Sequence, residues 1–182
     1  MKKKLLTASI VLVLLVPFLF GGCGFITGEE AANSPDIKGA EGFAIYLTRF
    51  DIPPSRMEMQ SHVELADKPV ISRDDILSYN WDTHVISLTA EAYQKLEAMK
   101  IPVNGVSFLV CVDKKPLYWG AFWTPVSSLS FDGITITLPS MFPGENIVKL
   151  EPGYPGPAFY SGKDPRDNPS ILEALEKAGK LK

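Results

Sequence analysis

Val106-Ser107-Phe108-Leu109-Val110-Cys111-Val112, then Asp113-Lys114-Lys115-Pro116, then Leu117-Tyr118-Trp119-Gly120-Ala121-Phe122-Trp123 is the stretch that decides the fold. The first run is apolar at odd and even positions alike, the mark of a central strand covered on both faces. The charged segment ending in proline turns the chain. Leu117 to Trp123 then reads as the return strand, because aromatic side chains suit a half-buried pleated surface. Side chains alternate along a strand, so Trp119 and Trp123 share one face and Tyr118 and Phe122 the other. One of these pairs has to face away from the helix that covers the sheet.

Working outward, Phe43 to Phe50 is a second strand, ended by Ile52-Pro53-Pro54. Met57 to Ala66 fits a loop or a short helix. Ser72-Arg73-Asp74-Asp75 resembles a helix-starting cap with room for a single turn. Ile76 to Asn80 and His84 to Leu88 form a hairpin around Trp81-Asp82-Thr83. Thr89 can accept an unpaired amide of the first turn of a helix spanning Ala90 to Lys100. Ala92, Leu96 and Met99 lie on one face of that helix, and Pro102 stops it. After a serine-rich link, Ile134 to Leu138 is another strand. Pro139 to Pro169 holds seven prolines and four glycines in 31 residues, with several aromatics, and reads as a loop packed down on the domain. Asn168 with Pro169, or Ser170 with Glu173, can start a last helix whose apolar face is Ile171, Leu172, Leu175 and Ala178. The expected fold class is therefore α+β: an antiparallel or mixed sheet with one central helix and one C-terminal helix.

The chain has 182 residues, 46% of them hydrophobic and 21% charged, with a formal net charge of −3. That is globular composition. It excludes a disordered chain, a disulfide-dense mini-protein and a polybasic nucleic-acid binder. The N-terminus has a different texture. Lys2-Lys3-Lys4 precedes Leu5 to Phe20, sixteen positions without a charge. A spanning helix needs roughly 20 apolar residues, so a signal-peptide core is the better reading. Gly24 to about Gly42 has few large apolar residues after Ile26 and reads as a tether. The expected organisation is a signal peptide over 1–22, a tether over 23–42 and one extracytoplasmic domain over 43–182.

Phe20-Gly21-Gly22-Cys23, placed at the end of that run, resembles a bacterial lipobox. The resemblance implies a diacylglycerol on the Cys23 sulfur and cleavage just before it. Two acyl chains anchor a protein stably where one does not. Phe20 stands where the motif usually has leucine. Loss of the three lysines takes the net charge from −3 to −6, so lipid rather than surface charge would hold the domain to the membrane. The implied location is the outer face of the cytoplasmic membrane, or the outer membrane where the cell has one. Cys111 is then left without a partner in the chain. Its apolar neighbours mark it as a buried, inert thiol.

The order from Pro69 to Leu138 is similar to the head of the first periplasmic domain of the SecD export subunit. The residues that carry the likeness are Ile71 to Ile76, Val85-Ile86-Ser87-Leu88-Thr89 before the helix, and the valine-rich strand ending at Asp113. The chain departs from that family in having Lys114 where a glycine usually follows the aspartate. A shared fold would not carry a shared function. The mature chain as a whole also looks like a bacterial lipoprotein family that brings no activity with it.

Chemistry-bearing motifs are sparse. His62 and His84 have no ligand at metal spacing, and neither HExxH nor CxxC occurs. His84, at the start of a strand, reads as a surface or edge residue. There is no GxSxG. Gly162-Lys163-Asp164 has aspartate where a phosphate-binding loop needs serine or threonine. Asp51, Asp67, Asp74, Asp75 and Asp82 sit in turns and caps. What leans towards recognition is the aromatic strand: Tyr118, Trp119, Phe122 and Trp123 are the candidate ligand-binding residues, for a sugar or a peptide. The expectation is a lipid-anchored binding or scaffold protein of the cell envelope. It would have no catalytic residues, metal or cofactor, would not bind nucleic acid, and would engage an envelope protein or glycan. The alternative is a cell-envelope hydrolase acting on glycan or peptide.

Overall fold

A computed structural model describes residues 42–59, 61–139 and 144–182, all within one compact unit. The expected signal peptide, the expected lipidation site at Cys23 and nearly all of the expected tether lie outside the described residues.

Among the described residues, eight strands form two sheets. The larger contains β1 (Phe43–Leu47), β4 (Val106–Val112), β5 (Lys115–Trp123), β6 (Phe131–Thr137) and β8 (Glu151–Tyr154), in the order β1-β4-β5-β6-β8. The smaller contains β2 (Ile76–Asn80), β3 (Val85–Leu88) and β7 (Ile147–Lys149), in the order β2-β3-β7. The described residues also contain three α-helices: α1 (Pro54–Met57), α2 (Ala90–Glu97) and α3 (Pro169–Lys177). The α+β class and the mixed sheet are as the sequence implied. β4 is central, and its five inner residues are all buried.

Strand periodicity sorts the large sheet into two faces. Phe43, Ile45, Phe108, Val110, Phe122, Ile134 and Ile136 enter the main core. There they meet Ile76, Tyr79, Ile86, Leu88 and Val148 of the small sheet, Ala92 and Leu96 of α2, and Ile171 and Leu175 of α3. Ala44, Tyr46, Leu109 and Cys111 point the other way, into a smaller cluster closed by Met57 of α1 with Ile52, Val63 and Leu65.

The caps follow local chemistry. Ser72 and Asp75 close a reciprocal capping box on a single 3-10 turn, Arg73–Asp75. The Thr89 hydroxyl accepts the Ala92 amide at the start of α2, and the Asn168 side chain accepts the Ser170 amide at the start of α3, with Pro169 in the first position. Of the two starts open in the sequence, the Asn168 one is used.

Three features correct or go beyond the sequence reading. The helix after Thr89 ends at Glu97 rather than Lys100, and Met99 and Ile101 pack on the core from the segment beyond it. The stretch from Pro139 to Pro169 is not all loop, because it carries β7 and β8. Buried Leu150 lies between them, where the chain leaves the small sheet for the large one. Third, β6 runs parallel to β5, with Gly120 opposite Ile134 and Trp123 opposite Thr137. The serine-rich link therefore has to return along the length of β5. Parallel strands normally need a crossover of a dozen or more residues. Here the short link 124–130 is pinned by the Ser127 hydroxyl, which donates to Val103 O (2.6 Å), and by Tyr154 Oη, which donates to Pro125 O (3.1 Å).

Candidate functional site

The four aromatics of β5 have separate environments. Phe122 is fully buried and packs on Phe108 with ring centroids 5.1 Å apart. Tyr118 leans on the same core, and its hydroxyl is buried with no hydrogen-bond partner among the described residues. Trp123, on the opposite face, is only 3% exposed. It stacks on Phe131 (5.2 Å, 15° between planes), with Tyr154 5.7 Å away. Trp119, also on that face, is partly exposed and meets Phe131 at 5.6 Å. Phe122 is enclosed in the core, whereas Trp123, though only 3% exposed, borders a cleft. Their strand alternation is as the sequence implied, but alternation alone does not say which face is covered.

Trp119 lies at a seam between two covers. On one side is the α1 segment, which seals Tyr46, Leu109 and Cys111. On the other is Phe131. A cleft of about 330 Å³ runs from α1 past Trp119 and Trp123 to Leu129 and Phe131. A second, of about 240 Å³, runs from Trp119 past Gly133 to Tyr160 and Ser161. Both are lined by Trp119, Glu58 and Asp132. Two glycines give the rings room. A Cβ on Gly105, whose φ is +76°, would fall 2.5 Å from the Trp123 ring, and one on Gly133 would fall 2.5 Å from the Phe131 ring. The exposed side chains Met59, Val103, Val126 and Leu129 belong to the same segments that wall the larger cleft.

Sequence reasoning missed a second concave region. His84 is not in a strand and not at the surface; it is 6% exposed and sits at φ +53°, between the hairpin turn and β3. Left-handed backbone is uncommon outside glycine, but Asn, Asp and His are enriched there, so the end of the Trp81–His84 turn did hold a signal. Tyr79 Oη lies 2.9 Å from His84 Nδ1. Burial raises the Tyr79 pKa and keeps its hydroxyl protonated, and the direction of this hydrogen bond follows the tautomer of the ring. Nε2 lies 3.6 Å from Asp167. Burial, and then the Arg166 charge, lower the His84 pKa from 6.5, which keeps the ring neutral.

An open cavity of about 700 Å³ adjoins this histidine, with Trp81, Lys149, Asp164 and Arg166 in its walls. Arg166, Asp164 and Lys149 are already engaged. Arg166 donates through Nε to both Asp164 oxygens (2.9 and 3.1 Å) and through Nη1 to Leu150 O (2.7 Å). Hydrogen bonds from Arg166 hold the Asp164 carboxyl below its usual range. Lys149 pairs with Glu151 at 3.1 Å. This network latches the loop before α3 onto the corner between β7 and β8.

The turn aspartates of the sequence are placed as follows. Asp75 is spent in the capping box. Asp67 pairs with Arg49 and Asp74 with Arg73, both at the surface. Asp51 is in an exposed turn at φ 49°. Asp82 edges the His84 cavity. Cys111 is fully buried, and burial pushes its thiol up to about 12. Among the described residues no group of three or more His, Cys, Asp or Glu side chains is placed to hold a metal ion. Comparison with protein-family models, with curated proteins and with solved structures gave no match.

Proposed function

We propose that this chain is a lipid-anchored extracytoplasmic binding protein of the cell envelope, held by lipid on Cys23, with its ligand surface across Trp119. One observation carries the reading. An indole is left partly exposed where two clefts meet, on the same sheet face as Trp123, which is only 3% exposed. Aromatic residues in concave, mostly apolar surroundings with a few polar groups are the usual makings of a binding site. The carboxyls of Asp67, Asp74 and Asp75 are tied into caps and surface pairs, and the carboxyls that border the Trp119 clefts are those of Glu58 and Asp132.

Two measurements test this. Cys23→Ser is expected to leave an unlipidated precursor, read by mass spectrometry of the mature N-terminus; an unmodified N-terminus in the wild type would sink the anchor. Capture of partners from detergent-solubilised envelope should depend on Trp119, with Trp119→Ala losing what the wild type retains while its melting temperature falls by only a few degrees. Equal capture by both proteins would remove Trp119 from the site.

A further inference from the structure

We infer that the Trp119 clefts take an oligosaccharide built of uncharged or cationic sugar rings, an inference that rests on the reading of Trp119 as the binding surface. Three features of the site select this class.

The first is hydrogen-bonding polarity. Glu58 and Asp132 line both clefts, and Ser55, Asn104 and Ser130 line the larger one. Ionised carboxylates only accept hydrogen bonds, so the ligand has to be rich in donors. Among the described residues neither cleft is lined by lysine or arginine. A phosphate- or carboxylate-bearing polymer would meet two like charges there with no counter-charge, which costs binding energy instead of supplying it.

The second is shape. The floor is a partly exposed indole with a phenyl ring 5.6 Å away. A pyranose offers flat patches of C–H to such a platform and directs its hydroxyls outward to the flanking acceptors. Each cleft is near or below about 300 Å³, the small end of ligand sites. That is room for a small ring on each side of Trp119 and argues for a repeating chain of rings over one large ligand.

The third is the backbone. A peptide commonly binds a sheet by adding a strand to an open edge. Trp119 is on β5, which pairs with β4 from Lys115 to Phe122 and with β6 from Gly120 to Trp123. Its indole stands on the face of the sheet and not at a strand edge, so a ligand on it is held by stacking and side-chain hydrogen bonds, as a glycan can be.

The experiment uses the full chain in detergent micelles and follows tryptophan fluorescence. The probes are a neutral N-acetylhexosamine oligomer, its deacetylated cationic form, and a polyanionic polysaccharide as the counter-probe. One or both of the first two should bind and the polyanion should not. Trp119→Ala should weaken binding by about tenfold or more, as loss of a central aromatic anchor does. Glu58→Gln combined with Asp132→Asn alters two exposed side chains and should weaken binding of the cationic form most, without a change in melting temperature. Preference for the polyanion, or no saccharide binding by the wild type, overturns the assignment. If saccharides fail while envelope capture still depends on Trp119, the ligand class falls and the surface stands. If Trp119→Ala changes neither, both fall.

Discussion

Trp119 and Trp123 are four residues apart on one face of one strand, yet their replacement should have opposite consequences. Trp123 is 3% exposed, stacked on Phe131 at 5.2 Å, and pressed against Gly105 so closely that a Cβ there would fall 2.5 Å from its ring. Trp123→Ala deletes an entire buried indole. Phe131 and Tyr154 are held from their own strands and can refill the space only in part. Truncations of this kind cost about 3–5 kcal/mol. Trp123 Nε1 is buried without a hydrogen-bond partner, so no broken hydrogen bond adds to the cost. At about 2–4 °C per kcal/mol for a domain of this size, the melting temperature should fall by roughly 6–20 °C. Trp119→Ala removes a side chain that is part solvated in the folded state. The fully buried equivalent is worth about 1.5–3 kcal/mol, so a loss of about 1 kcal/mol and a shift of only a few degrees is expected. Thermal melts of the two variants beside the wild type decide the matter. Equal shifts, or a neutral Trp123→Ala, would refute the claim that the seam runs between them.

Two further expectations concern the buried titratable groups. Because burial depresses the His84 pKa in the fold, the unfolded chain binds the proton more readily; the stability His84 contributes is complete above 6.5 and is lost as pH falls below it. Denaturant melts across that range should show a slope that His84→Asn flattens, since asparagine tolerates the left-handed backbone but cannot place a titrating ring beside Tyr79; an unaltered slope would show that another group is responsible. Cys111, with its thiol pushed up to about 12, should react with a thiol reagent only after denaturant is added, and rapid labelling of the native chain would contradict its burial.

What the sequence disclosed, and what it withheld, divides along a physical line. The β2–β3 hairpin, the Thr89 cap, the central β4 and the Asn168 start of α3 were legible because each is specified by neighbours within a few residues: a capping oxygen, a proline at the first helical position, a run of alternating apolar side chains. The Ser72–Asp75 box was legible for the same reason. The parallel pairing of β5 with β6 was not, because nothing in 124–130 distinguishes a tight return from a hairpin until Val103 and Tyr154 arrive to pin it. β7 and β8 hid among prolines and glycines. Their strand character comes from partners far away in sequence, with Val148 facing Ile86 and Glu151 facing Thr135. His84 was misjudged because burial of a polar ring depends on Tyr79 and Asp167 converging on it. In the aromatic strand alternation was readable, but the cover over each face was not.

The seam at Trp119 follows from that same non-local pairing. Had β6 been antiparallel to β5, a tight hairpin would join them, and no segment would need to travel back beside the aromatic face. The parallel register obliges residues 124–130 to return alongside β5, and Leu129 and Ser130 become walls of the larger cleft. Phe131, the first residue of β6, then comes to lie on Trp123. From the β1 side, α1 is a single turn stopped at Met57, and Glu58 follows where a longer helix would have covered Trp119. The gap between these covers holds a large apolar side chain that a sheet built for stability alone would bury or replace with a smaller one. Natural domains keep such locally costly features mainly where a site requires them. On the proposed function, the seam, with carboxylates on its rim, is the place where this fold gives up stability for recognition.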